Sequence, residues 1–164
     1  QKIRYLIYIL LFCSAICLGQ EADFDKMIGN TLQKTVPFIS STDLKNNYNK
    51  YTILDSRELK EFKVSHLENS IWVGYDDFNI HNTIKKIKAD KPIVIYCSIG
   101  YRSEKIGEKL LQKGYTVYNL YGGIFDWKNK ENTVVDNSET NTNKVHCYNK
   151  EWSKWLFIGD KIYD

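Results

Sequence analysis

Short apolar runs alternate with stretches of helical periodicity through the middle of this chain. Phe38-Ile39, Tyr51-Thr52-Ile53-Leu54, Ser70-Ile71-Trp72-Val73, Ile93-Val94-Ile95-Tyr96 and Thr116-Val117-Tyr118-Asn119-Leu120 are rich in β-branched and aromatic residues. Turn-forming or charged residues bound them, so they read as five strands. Between them, Ser40-Ser41-Thr42 supplies N-cap oxygens for a brief helix through Leu44 to Tyr48. Glu58 to Phe62 makes a helical turn. Asp76 to Lys88 carries Phe78, Ile80, Ile84 and Ile87 at loosely helical intervals, and Pro92 stops it. Ser103, Ile106, Gly107, Leu110 and Leu111 fall at i, i+3, i+4, i+7 and i+8, one face of an amphipathic helix that Gly114 closes as a C-cap. Gly122-Gly123 is a sharp turn, and Ile124-Phe125-Asp126-Trp127 opens a further short helix. Strands alternating with helices at this spacing predict an α/β domain with a largely parallel sheet.

The flanks break that pattern. Residues 20–35 are polar and mixed, with Gly29 and Asn30 placed to interrupt a helix, and read as a lead-in. Residues 131–144 are rich in Asn, Thr and Glu without an apolar period and read as a loop or linker. From Val145 the composition changes again: Tyr148, Trp152, Trp155, Leu156, Phe157, Ile158 and Tyr163 crowd the last stretch. Trp152, Trp155 and Leu156 would share a helix face. Leaving so aromatic a segment in water is costly, so it is expected to dock on the domain, with a partner or membrane surface as the alternative. Residues 1–19 have the plan of a secretory signal: Lys2 and Arg4 lead an apolar stretch from Tyr5 to Leu18, and Cys17-Leu18-Gly19 offers a cleavage site before Gln20. Two alternatives stay open, an uncleaved membrane anchor and lipidation at Cys17. The expected location is therefore exported, periplasmic or secreted, with membrane attachment only if residues 1–19 persist or carry a lipid.

Composition adds limits. Hydrophobic residues make up 43% of the 164 positions and aromatic ones 14%, values of a globular chain. The formal charge is +3, but two of its cations are Lys2 and Arg4, and without them the balance is nearly neutral. That gives no case for a nucleic-acid partner; Lys85-Lys86-Ile87-Lys88 reads as a solvated helix face. No metal site is expected, because His66, His81, His146 and Cys147 have no recognised ligand spacing, and no cofactor is implied. Loss of the signal removes Cys13 and Cys17, leaving Cys97 and Cys147. A disulfide between them is conceivable in an oxidising compartment, but a thiol kept for chemistry would have to stay reduced, so Cys147 is expected to be unpaired.

The candidate chemistry lies in Cys97-Ser98-Ile99-Gly100-Tyr101-Arg102, with Ser103 behind it. A cysteine at the end of a buried strand, on a tight loop at a helix N-terminus, meets inward-facing N–H groups and the positive end of a helix dipole, both of which favour a thiolate. Gly100 permits a backbone angle that a side chain would forbid. Arg102 offers a fixed positive charge, suited to an anionic leaving group or to bracing the loop. Ser103 is expected to cap the following helix, and Tyr101 either to tune access at the mouth or simply to face solvent. Asp55 and Arg57, at the tip of the second strand, are expected to form a supporting ion pair rather than to touch substrate. His66 is expected to brace a turn rather than act as a base.

These residues resemble a known family. Cys97-x-x-Gly100-x-Arg102-Ser103 is similar to the active loop of rhodanese-type sulfurtransferases. Asp55-x-Arg57-Glu58, then Phe62 and His66-Leu67, resembles the family's upstream segments, and Gly122-Gly123-x-x-x-Trp127 its closing turn. Ser65 departs from the family's glycine before the histidine. The resemblance covers residues 36–130 and implies an open parallel sheet with helices on both faces, with Cys97 at the carboxyl ends of the strands. It further implies an enzyme in which Cys97 takes a sulfane sulfur from thiosulfate or a persulfide and passes it to cyanide or a thiol. Ser98, Ile99, Gly100, Tyr101, Arg102 and Ser103 would bind the small sulfur-containing anion or thiol, and a monomer is expected. Phosphatases and arsenate reductases of the same fold are the rival enzymes; their arginine stands six places after the cysteine, whereas Arg102 stands five after Cys97. A redox-switchable binding module on this fold is the non-enzymatic rival.

Overall fold

Five strands hydrogen-bond into one parallel sheet in the order β1-β5-β4-β2-β3: β1 (Phe38–Ile39), β2 (Thr52–Asp55), β3 (Ile71–Trp72), β4 (Ile93–Tyr96) and β5 (Val117–Leu120). The computed structural model describes residues 19–87 and 90–163. β4 lies at the centre, Thr52 to Asp55 of β2 pairing with Ile93 to Tyr96 on one side and Ile93 to Ile95 pairing with Val117 to Asn119 on the other. All four β4 residues are buried, which is why this run reads as continuously apolar rather than alternating. Ile93 and Ile95 enter a cluster with Leu54, Ile87, Ile106, Leu110 and Val117, while Val94 and Tyr96 alternate to the opposite face.

Helices α2 (Ser41–Asn46), α3 (Leu59–Val64), α4 (Ile80–Lys86), α5 (Tyr101–Leu111) and α6 (Gly123–Asn129) connect and cover the strands. Capping marks their limits. Ser40 accepts from the Asp43 N–H, and Asn79 accepts from the Asn82 N–H. At the end of α5, Gly114 has φ +86° and donates its N–H to Leu111 while Tyr115 donates to Leu110. This is the paired-bond glycine terminator expected there.

Three expectations for the flanks are corrected. Residues 19–31 are helical (α1). Phe24, Met27, Ile28 and Thr31 recur at i, i+3, i+4 and i+7, and Gly29 and Asn30 fall only in the last turn, where Thr31 also donates its hydroxyl to the Met27 carbonyl. Contacts divide the chain after Gln33, and the unit that contains the sheet runs from Lys34 to Asp164. Residues 131–144 are not a linker: β6 (Val134–Val135) pairs antiparallel with β7 (Asn141–Thr142). Asp136 organises the turn by accepting from the N–H groups of Ser138 and Thr140. Beyond it β8 (Lys144–His146) and β9 (Asp160–Ile162) form a two-stranded parallel sheet. Trp152–Trp155 between them is one 3₁₀ turn instead of an α-helix.

Candidate active site

Cys97 follows the last residue of the central strand, and α5 begins four residues later. The intervening loop therefore inherits its position from the most buried part of the sheet. Gly100, at the N-cap of α5, has φ +115°, a conformation open to glycine and strained for other residues. That angle turns the chain from the loop into α5, and the Gly100 N–H meets the Cys97 Sγ at 3.2 Å. The thiol is buried, and the first N–H groups of α5 have no partner within the helix itself.

The loop is held from below by the start of α6. Ile124 donates its N–H to the Cys97 carbonyl at 2.9 Å and Phe125 to that of Ser98 at 3.2 Å. Loop carbonyls thus satisfy two donors that a helix N-terminus leaves open. Gly122 and Gly123 both have positive φ, and a Cβ at Gly123 would collide with the carbonyl oxygens of Cys97 and Ser98. The Gly-Gly turn exists because two backbones approach there.

Arg102 sits five residues after the cysteine, yet its edge faces a protein carboxylate. Its Nη1 and Nη2 donate to Glu61 Oε2 and Oε1 at 2.6 and 2.8 Å, and Nη2 also donates to Ser98 Oγ at 3.0 Å. Glu61, from α3, is wholly buried; it also accepts from the Glu58 N–H at 2.9 Å. Burial raises the Glu61 carboxyl, but the hydrogen bonds and charge of Arg102 and the charge of Arg57 outweigh it and hold it below the usual range. Burial lowers Arg102, while Glu61 and the charge of a Cys97 thiolate hold it firmly protonated. Of the two roles open to Arg102, this geometry makes it a brace for the loop.

Asp55 and Arg57 form a second buried pair. Arg57 Nη2 lies 2.6 Å from Asp55 Oδ2 and donates equally closely to the Ser65 carbonyl. Its own carbonyl accepts from the Trp72 indole at 2.8 Å, and its guanidinium lies over the Tyr96 ring. The Tyr96 hydroxyl in turn accepts from the Leu67 N–H. This network ties the ends of β2 and β4 to the segment leading into β3.

The remaining sequence candidates divide. Ser98 and Ile99 are buried in the loop, and Tyr101 is 46% exposed. Ser103 does not cap α5. It lies inside the helix and donates to Asn119 Oδ1 at 2.7 Å, while Asn119 Nδ2 donates to the Gly100 carbonyl at 2.9 Å. The cap position belongs to Gly100, because the helix starts two residues earlier than the apolar stripe suggests. His66 stacks on Phe62, donates from Nδ1 to the Phe62 carbonyl, and places Nε2 3.2 Å from Glu139. Its backbone pairs with Val135 in both directions. Cys97 and Cys147 are both free thiols. Burial pushes the Cys147 thiol up to about 11.

Sequence reasoning missed Glu61, Asn119 and Tyr148. Asn119 had a signal, a polar amide in a strand run that disfavours it. Glu61 had only its three-residue spacing from Glu58, which points to helix capping and not to Arg102. Tyr148, whose ring lies 5.3 Å from the Arg102 guanidinium carbon, had no local signal. Among the described residues, no group of three or more His, Cys, Asp or Glu could hold a metal ion, and no helix is long and apolar enough to cross a membrane. Residues 1–18 of the expected signal segment, Cys17 included, lie outside the described residues.

Known proteins are similar to this chain in sequence and in fold. YqhL of Bacillus subtilis, whose function is uncharacterised, is 27% identical over 99 residues, covering 60% of this chain and 77% of that protein. The tRNA uridine(34) hydroxylase of Photorhabdus laumondii is 36% identical over 83 residues. The match covers 47% of this chain but only 23% of that enzyme's length. Among solved structures, a rhodanese-related protein from Thermoplasma volcanium is 31% identical with a TM-score of 0.56, covering 60% of this chain and 97% of that one. The family model described as Rhodanese-like domain matches residues 40–130, a span that runs from the cap of α2 through the cysteine loop to the end of α6, and the chain belongs to that family.

Proposed function

We propose that this protein is a sulfurtransferase in which Cys97 carries a sulfane sulfur between donor and acceptor. The observation that carries the reading is the Gly100 N–H held on the Cys97 Sγ at 3.2 Å, in a loop pinned by α6 below and Arg102 beside it. A donor aimed at sulfur favours its anion, whether thiolate or persulfide, and fixed backbone donors provide that without reorganisation.

The chemistry has two displacements. Cys97, having lost its proton to solvent, attacks the outer sulfur of thiosulfate. The S–S bond of the donor breaks, sulfite leaves with the electron pair, and Cys97 holds a persulfide. An acceptor thiolate, or cyanide, then attacks that outer sulfur and Cys97 leaves as thiolate. A persulfide donor follows the same course, with a thiolate as leaving group. Ping-pong kinetics follow from the covalent intermediate. The small anionic or thiol partner would meet the loop from Ser98 to Ser103. The commitment of Arg102 to Glu61 and Ser98 favours sulfur transfer over phosphoryl transfer, since a phosphate cradle needs its arginine fork free for the bound oxygens. Residues 1–19 support export as the setting in which this monomeric chain acts, and N-terminal sequencing of the secreted or periplasmic protein would test that part.

The test is mass spectrometry of the full chain after incubation with thiosulfate, alongside thiocyanate and phosphatase assays. One extra sulfur on the Cys97 peptide, lost on adding cyanide and absent in Cys97→Ser, is expected. Phosphate release without thiocyanate, or no sulfur on Cys97 with either thiosulfate or a persulfide donor, overturns the reading.

A further inference from the structure

The guanidinium of Arg102 is committed to the protein at both of its terminal nitrogens. Glu61 takes both terminal nitrogens, and Ser98 accepts a further bond from one of them. The two faces of such a planar group cannot form hydrogen bonds, and a π-system is the partner that suits them. Tyr148 supplies one, its ring lying over Arg102 at 5.3 Å. Tyr148 belongs to the segment beyond residue 130, outside the family match.

Hydrophobic burial does not account for the position of this ring. Tyr148 is 49% exposed. It also holds φ +65°, the left-handed region that bulky side chains seldom adopt. The strain persists because its surroundings impose it: the Tyr148 N–H donates to His146 Nδ1 at 3.0 Å, and His146 ends β8. β8 packs against α3, the helix that carries Glu61. The carboxylate at the edge of Arg102 and the ring on its face are thus set by one strand–helix contact.

We propose that Tyr148 is a positioning residue of the Cys97 site, acting through Arg102, so that the C-terminal segment completes the active loop. With its face covered, Arg102 stays on Ser98 and Glu61, and the loop keeps the Gly100 N–H on Sγ. With the face open, water competes for the guanidinium, Ser98 loosens, and the donor at Sγ is held less well. The activity arm of the test rests on the sulfurtransferase reading; the thiol-reactivity arm does not.

The experiment compares wild type, Tyr148→Ala and Tyr148→Phe in the full chain. Alkylation of Cys97 by iodoacetamide is followed across pH by peptide mass, with thiosulfate kinetics measured in parallel. Tyr148→Ala is expected to move the alkylation midpoint to higher pH and to lower kcat/KM roughly three- to ten-fold, mainly in kcat, in keeping with the strength of a cation–π contact. Tyr148→Phe retains the ring and is expected to keep the wild-type alkylation midpoint. A wild-type midpoint in Tyr148→Ala, or a shift in Tyr148→Phe equal to that in Tyr148→Ala, overturns the proposal. A wild type that never loads sulfur overturns the sulfurtransferase reading instead, and the alkylation comparison still decides the role of Tyr148.

Discussion

Glu61 links three parts of the site: it pairs with Arg102, accepts from Ser98 Oγ at 3.3 Å, and anchors the first turn of α3 through the Glu58 N–H. Its carboxyl is lowered in the folded protein, the arginines overcoming the upward push of burial. The sign of the pH effect follows from that direction. An ionised Glu61 stabilises the fold above the unfolded carboxylate value of about 4.3, and the contribution fades as pH falls through the lower folded value. Glu61→Gln cannot titrate, so urea titrations from about pH 5 downward should show the wild type losing stability more steeply than the variant. At neutral pH the same variant leaves Arg102 without its counter-charge. Breaking a buried pair costs about 3–5 kcal/mol, and the partial exposure of Arg102 (14%) puts this one near or below the low end. Equal acid sensitivity in both proteins would remove Glu61 from this role.

Among elements, the junction of β4, α5, β5 and α6 sets the geometry of the loop, and Asn119 of β5 is its side-chain tie. It joins the Gly100 carbonyl at the α5 cap to the Ser103 hydroxyl one turn later. Asn119→Leu retains the size and β-strand pairing but takes the amide from the buried Ser103 hydroxyl and leaves the Gly100 carbonyl with the Glu104 N–H alone. A buried polar group left unsatisfied costs about 1–3 kcal/mol, so a clear fall in melting temperature is expected, together with altered alkylation of Cys97. A stable variant with wild-type alkylation would show that Gly100 does not need the tie. The strands were legible because each is a β-rich run bounded by turns, and the central one is buried on both faces. The cysteine loop was legible from Gly100, Arg102 and the Gly122-Gly123 turn at fixed offsets. α1 was hidden by Gly29 and Asn30, which weigh heavily in the middle of a helix and little in a last turn. The hairpin was hidden by strands two residues long, too short for alternation to show. Glu61 and Tyr148 were hidden because their partner is 41 and 46 positions away, and no local rule reports contacts of that range.

For the whole molecule, the family match ends at residue 130 but the packing of this unit continues beyond it. Val135 exchanges backbone hydrogen bonds with His66, and the Thr133 carbonyl accepts from the Trp127 indole at 2.8 Å. Asn129 donates to the Trp155 carbonyl and accepts from the Phe157 N–H, while β8 packs on α3. Val134, Val135, Val145 and Leu156 are buried, and each such side chain contributes about 1.5–3 kcal/mol when removed from water. Their sum is comparable to the whole stability of an ordinary domain, about 5–15 kcal/mol. A chain ended after Lys130 would lose those contacts and would expose the apolar surface they cover. It is therefore expected to unfold at much lower urea concentration than the full chain, or to aggregate, as followed by circular dichroism and light scattering. Its Cys97 peptide should be alkylated as fast as in denaturant, since α3 loses the strand that braces it and Arg102 loses its ring. A truncated chain as stable as the full one, with protected Cys97, would show instead that residues 40–130 suffice and that the C-terminal segment is an addition to a finished domain.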